Sequence, residues 1–255
     1  MKNVETNTDV FIQTENIRKI LNRVRSTISQ NGWLAIAGEV GSGKTTICEH
    51  LQSNWLQHSE KYTVVFDKGW IAAAGTSAAG NVMKKLIRAI DPDAKSPGDL
   101  SLRANVLKTK LFQAARANRK VVLLIDEAQD LTPQTLRELK KIHETTGMGF
   151  QNLFSIIMVM KESHRTDSIL ESRELGWRIS RVYTAPLTSH EIIEFAVNRY
   201  GVQFADKNVA TYFTRKATAS PLWVCRMANQ LQELHGDKKI TRQDIEYVMN
   251  HYARE

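Results

Sequence analysis

Along this chain of 255 residues, short and nearly continuous apolar runs alternate with longer stretches in which apolar residues return every third or fourth position. The runs are Trp33 to Ala37, Thr63 to Phe66, Val121 to Ile125, Ser155 to Met160 and Arg181 to Thr184. They have strand length, and strands covered on both faces read in this unbroken way. Between them, segments such as Ile17 to Ile28 and Asn81 to Ile90 carry helical spacing. Strands alternating with helices predict a parallel, doubly wound five-stranded sheet flanked by helices. After Pro186 the strand signal stops, and TSHEIIEFAVNRYG, DKNVATYFTRKAT, SPLWVCRMANQLQELHG and TRQDIEYVMNHYA read as four helices, two opening on a Thr-Ser or Thr cap. The expected organisation is an α/β domain over residues 1–186 and a small helical domain over residues 187–255. A loop-rich stretch, Asp91 to Leu100, holds two of the five prolines, and the chain has neither internal repeats nor low-complexity tracts.

The segment GEVGSGKTT, Gly38 to Thr46, joins the first apolar run to the helix-patterned ICEHLQSNWL. It fits GxxxxGK[ST], where Gly38 and Gly43 let the backbone fold around phosphates and Glu39, Val40, Gly41 and Ser42 turn N–H groups toward them. Lys44 places a positive charge at the β and γ oxygens, Thr45 offers a hydroxyl to Mg²⁺, and Thr46 completes the cradle. A glycine turn with a surface lysine is the plain alternative, but strand, turn and helix agree on a nucleotide site. A second run, VVLLIDEAQDL, Val121 to Leu131, is a buried strand ending in two carboxylates. Asp126 is placed to hold Mg²⁺ through water, and Glu127 to orient and polarise an attacking water. A solvated strand end would look similar in isolation; downstream of GEVGSGKT the catalytic reading is favoured. The expected reaction is hydrolysis of ATP to ADP and phosphate with Mg²⁺, and no acceptor site for a kinase is visible.

Charge sharpens the choice of partner. The formal net charge is +8, and residues 84–120 hold ten basic residues against three acidic ones, a net +7. That density suits backbone phosphates read without base specificity; a solvated basic face on two surface helices is the alternative. Cys48 and Cys225 lie far apart without a CxxC or Cys/His cluster, so neither a disulfide framework nor a zinc site is indicated, and a reducing cytoplasm is expected. The N-terminus MKNVETNTDV is polar and no apolar run approaches the roughly eighteen residues of a membrane span, so no membrane partner is expected.

With these motifs in place the chain resembles the AAA+ ATPases, P-loop NTPases with a small C-terminal helical lid, over nearly its whole length. GEVGSGKTT together with LLIDEAQDL is similar to the branch that contains the ExeA-type secretion ATPases and the transposition ATPases, such as the phage Mu B protein and its transposon relatives. LRELKKIHETTGMGFQNLFSIIMVMKES, Leu136 to Ser163, with its His-x-x-Thr-Gly followed by a strand, is most similar to the transposition group. The resemblance implies a polar sensor after the strand Ser155 to Met160, where Lys161 stands in place of the more usual Asn, Thr or Gln. It implies an arginine finger acting in trans from RELGWRISR, with Arg178 better placed than Arg173 or Arg181, although these arginines would equally suit surface carboxylates. It also implies a lid arginine after Gly-x-Pro; here Leu222 follows Ser220-Pro221, and Arg226 is the next candidate for the nucleotide.

Two functions fit this resemblance. The first is a sequence-nonspecific DNA-binding ATPase that forms a homo-oligomer, ring or helical filament, on duplex DNA and delivers target DNA to the transposase of its mobile element. The second is an ATP-driven protein remodeller or loader of the secretion or helicase-loading type. By resemblance, Lys68, Thr76, Lys84, Lys85, Arg88 and Arg103 line the route of the DNA, which favours the first. Trp70-Ile71, a candidate aromatic pore loop, keeps the second open.

Overall fold

The computed structural model describes residues 11–56, 60–68, 78–144, 152–172 and 175–252. Five strands, β1 (Trp33–Gly38), β2 (Tyr62–Lys68), β3 (Lys120–Asp126), β4 (Ser155–Lys161) and β5 (Ile179–Tyr183), form one sheet in the order β2-β3-β4-β1-β5, with every neighbouring pair parallel. This is the expected sheet. The first four strands run a residue or two past their apolar runs, because ladder bonds do not require apolar side chains. Strand β5 starts earlier than expected, since Ile179 is the residue that pairs with Trp33 of β1.

Strands β1, β3 and β4 are buried along almost their whole length, as parallel strands with both faces covered must be. The helices of this unit are α1 (Glu15–Ser29), α2 (Lys44–Glu49, continued by a π-helical segment His50–Leu56), α3 (Ala78–Ile90), α4 (Leu100–Arg116), α5 (Pro133–His143) and α6 (His164–Glu171). Trp33 and Ala35, Leu123 and Ile125, and Ile156 and Met158 face a core shared with α3, α4 and α5, while α2 packs on β1, β3 and β4. Helix starts follow local chemistry: Asp99 accepts from Leu102 N at 2.9 Å, and Thr132 accepts from Thr135 N at 3.1 Å ahead of Pro133. On α3, Val82, Met83, Leu86 and Ile87 are buried and Lys84, Lys85 and Arg88 are exposed. The chain leaves β1 for β2 at the far edge and returns through β3 and β4, so the C-terminal ends of β3, β4 and β1 lie side by side. In sheets of this kind ligands bind where the strand order reverses.

A second compact unit comprises, among the described residues, 11–16, Gly41–Gly43 and 185–252. Its helices are α7 (Ser189–Tyr200), α8 (Lys207–Lys216), α9 (Pro221–His235) and α10 (Arg242–Tyr252), packed around Ile192, Phe195, Phe213, Val224, Leu231 and Ile245. Helix α7 opens on a reciprocal capping box between Thr188 and Glu191. The N-terminal residues belong here through contacts that no local pattern announces. Ile12 packs against the core, Glu15 N donates to Glu191 Oε1 at 3.1 Å, and Ala185 N donates to Asn16 Oδ1 at 3.0 Å. Among the described residues no helix is long and apolar enough to cross a membrane.

Candidate active site

The loop after β1 carries the chemistry its sequence promises. Gly41 and Gly43 have φ of 78° and 82°, left-handed conformations that glycine adopts without Cβ strain. A Cβ on Gly43 would meet nothing within 4 Å, whereas one on Gly41 would lie 3.0 Å from Leu222 Cβ. Leu222 N also donates to Gly41 O at 3.2 Å. Lys44 opens α2 and its Nζ donates to Glu39 O at 2.6 Å, so the ammonium is folded back into the loop. Burial lowers its pKa, while Glu127 and Asp126 act in the opposite direction. Thr45 and Thr46 are exposed in the first turn of α2.

Beside this loop lie the ends of β3 and β4. Asp126, the last residue of β3, is 5% exposed. Its Oδ1 accepts from Glu127 N at 2.9 Å, and burial raises its pKa against the pull of that bond, of Lys68 and of Lys44. Glu127 is exposed and left-handed, with φ of 51°, an unusual conformation for a non-glycine residue and one found often at functional sites. Its Oε2 accepts from Gln129 Nε2 at 2.6 Å, and Gln129 Oε1 accepts from Lys161 N at 2.9 Å. Lys161 closes β4 opposite Gly38, and Glu162 N donates to Gly38 O at 2.9 Å. The start of the phosphate loop, the two carboxylates and the sensor candidate are thus brought together. Among the described residues no group of three or more His, Cys, Asp or Glu side chains forms a metal cluster. The donor set instead suits Mg²⁺, which characteristically takes one or two protein oxygens and completes its shell with phosphates and water. A buried carboxylate within electrostatic reach of the cradled Lys44 ammonium, with an exposed hydroxyl next in the chain after that lysine, fits ATP with Mg²⁺: Asp126 and Thr45 would hold the ion, and Lys44 and the loop N–H groups the phosphates.

Other candidates are placed differently. Lys68, assigned to DNA from the sequence, pairs in register with Asp126 and belongs electrostatically to the strand ends. Lys85 Nζ sits 2.5 Å from Oδ2 of the buried Asp67. Arg103 donates to the carbonyls of Pro97, Gly80 and Gly98 at 2.8, 3.0 and 3.1 Å. Lys110 pairs with Asp91 at 2.7 Å, and Lys120 donates to Ser29 O and Asn31 Oδ1. Lys84 and Arg88, one turn apart on α3, project into solvent. Arg178 Nε lies 2.5 Å from Glu144 Oε1, a carboxylate partner of the sort its sequence context also allowed. Arg226 is exposed on α9, one turn beyond Leu222. Thr76, Trp70, Ile71 and Arg173 lie outside the described residues. His143, which opens the His-x-x-Thr-Gly stretch, is a core residue: it is buried between Trp33 and Phe154, bonded to Asn31 O at 3.0 Å, and its pKa is lowered by that burial. Sequence reasoning missed Gln129; its only signal is an amide two residues after the second carboxylate, which means nothing until the turn Ala128–Asp130 aims it backward.

The profile of the family described as "AAA domain" matches residues 25–166, over half of the chain. No curated protein matches the sequence. Among solved structures, the ORC2 protein of Aeropyrum pernix is similar with a TM-score of 0.64 at 14% identity, covering 92% of this chain and 65% of its own. A Walker-type ATPase of Pyrococcus abyssi has a TM-score of 0.61 at 15% identity, over 96% of this chain and 71% of its own. The RuvB Holliday junction branch migration motor of Thermotoga maritima has a TM-score of 0.54 at 18% identity, over 95% and 70%. At these identities the likeness is one of fold, and the chain spans 65% of the length of the ORC2 protein.

Proposed function

This chain belongs to the AAA domain family, and we propose that it is an ATPase working on ATP with Mg²⁺ that binds DNA without sequence specificity, assembles on duplex DNA and delivers target DNA to a transposase. In this reading residues 1–186 bind the nucleotide and residues 187–255 form the lid. The phosphates lie against the Gly38 to Thr46 loop and Lys44, and Glu127 polarises the attacking water. Mg²⁺, when bound, neutralises charge that develops on the transferred phosphoryl group. Lys161 and Arg226 report the nucleotide's state, and Arg178 reaches a neighbouring subunit's nucleotide in trans once it leaves Glu144. ATP thereby favours the oligomer and hydrolysis releases it.

The observation that carries the DNA reading is the exposed pair Lys84 and Arg88 on α3, within the basic segment whose other members are largely tied down. A Holliday junction branch migration motor, RuvB, stands among the solved structures of similar fold and supports this reading. The test is a salt titration of duplex binding, followed by fluorescence anisotropy with ATP present and absent. Wild type should bind unrelated duplexes similarly and only with ATP. Lys84→Ala with Arg88→Ala should flatten the log-log salt slope by roughly 1.8, about 0.9 for each phosphate that is no longer neutralised. Equal slopes in the two proteins would place the DNA-binding face elsewhere, and no binding by wild type would favour a protein remodeller. Adding a transposase that accepts the delivered DNA should speed ATP turnover; an unchanged rate would remove transposition while leaving the DNA-binding ATPase in place.

A further inference from the structure

The ends of β3 and β4 are linked by one side chain that no motif names. Gln129 Nε2 donates to Glu127 Oε2 at 2.6 Å while Gln129 Oε1 accepts from Lys161 N at 2.9 Å. Gln129 is half-buried in the turn Ala128–Asp130, which is closed by Asp130 N to Glu127 O at 3.0 Å, so its reach is limited. Glu127 needs such a partner. Its side chain is exposed and its backbone left-handed, and a solvated carboxylate samples several rotamers unless it is held. A carboxamide suits the task, because its N–H₂ can donate only toward the carboxylate while its oxygen takes the strand's N–H. Glutamate in its place would keep the acceptor for Lys161 N but set an anion against Glu127.

We infer that Gln129 is a positioning residue for ATP hydrolysis: it holds the Glu127 carboxylate in one orientation and fixes that orientation to the end of β4. The anchor at Lys161 N matters because β4 is the strand whose next residue, Glu162, bonds Gly38 O at the mouth of the phosphate loop. A run of backbone and amide hydrogen bonds therefore connects Gly38 with Glu127. A displacement of the β4 end would reach the carboxylate through Gln129. The consequence for function is a separation of roles: Gln129 acts on the hydrolytic step and leaves the hold on the phosphates to Lys44.

This inference rests on the reading of Glu127 as the water-polarising group, and the experiment separates the two. ATP turnover and nucleotide affinity, the latter by a fluorescent ATP analogue, are measured for wild type, Glu127→Gln, Gln129→Ala, Gln129→Glu and the double variant Gln129→Ala with Glu127→Gln, with circular dichroism to verify folding. Gln129→Glu and Gln129→Ala should lower kcat roughly ten- to a hundredfold, part of what a general base supplies, with KM and nucleotide affinity within about twofold of wild type. The double variant should be no slower than Glu127→Gln alone, because the two residues act as one unit. In the nucleotide-free chain, Gln129→Ala and Glu127→Ala should shift the urea midpoint by less together than the sum of their separate shifts. If Glu127→Gln turns over like wild type, the reading of the site fails. If Glu127→Gln is dead while both Gln129 variants keep full kcat, or lose affinity and rate together, or act additively with Glu127, the positioning role is overturned and the site stands.

Discussion

Two polar regions of the α/β unit hold their charges in opposite ways. At the ends of β1, β3 and β4, Lys44, Asp126, Glu127, Gln129 and the Lys161 backbone are all engaged with one another or with the loop, yet Lys44, Asp126 and Glu127 keep chemistry to offer a ligand. Along α3 and α4 the chain is far more charged, but Lys85, Arg103 and Lys110 have their cationic groups bound inward to carboxylates and carbonyls. Only part of that basicity, Lys84 and Arg88 foremost, faces solvent. A tally of charge along a sequence therefore overstates the electrostatic footprint, and a modest-looking strand end understates it. What separates the two regions is geometry: strand ends in a parallel sheet converge, whereas residues on a helix face divide between core side, loop side and solvent.

The sharpest way to break this contrast is at the loop. Lys44→Ala should weaken ATP at least about a hundredfold, since each charge-assisted phosphate contact contributes about 1.5–3 kcal/mol; calorimetric titration checks it, and retained affinity would mean that the cradle is not the site. On the basic face, Arg103→Ala should destabilise the chain by ~1–3 kcal/mol by withdrawing a guanidinium from three carbonyls, whereas Lys84→Ala should stay within about 0.5 kcal/mol. Urea unfolding of both variants tests whether one face really contains two kinds of cation; equal losses would erase the distinction.

A third measurement uses pH. Burial raises the Asp126 pKa in the folded chain, so its favourable contribution is present below the unfolded carboxylate value and lost as pH rises through the folded one. At neutral pH the ionised group opposes folding. Asp126→Asn should therefore make the nucleotide-free chain more stable than wild type at neutral pH, with the gain shrinking on acidification as Asp126 takes up its proton, while Mg²⁺-dependent turnover is lost. Thermal unfolding across pH reads this, and a gain that grew toward acid would reverse the assignment. The smallest effect belongs to Glu144→Gln. Its pair with Arg178 is exposed, so the loss in stability should stay below about 1 kcal/mol; a larger loss would make that pair a fixed strut rather than a contact Arg178 can leave.

Much of this protein was determined by short-range pattern. Continuous apolar runs specified β1, β3 and β4 because both faces of these strands are covered, and helical spacing, with Thr caps at Thr188 and Thr241, marked the C-terminal helices because caps act within one turn. GEVGSGKTT and IDEAQ placed Lys44 and Thr45 at the start of α2 and Asp126 and Glu127 at the end of β3, where local geometry leaves little choice. Tertiary structure alone decided the rest. Lys68 came to face Asp126 because β2 pairs with β3 in one register, and Arg103 turned inward because Gly80 and Pro97 meet it across the α3–α4 loop. Gln129 gained a role only when β4 brought Lys161 within hydrogen-bonding distance. The physical reason is the same in each case: a side chain's conformational preference is local, but its partner is set by which strands and helices the core brings together, and that choice is made by the whole chain.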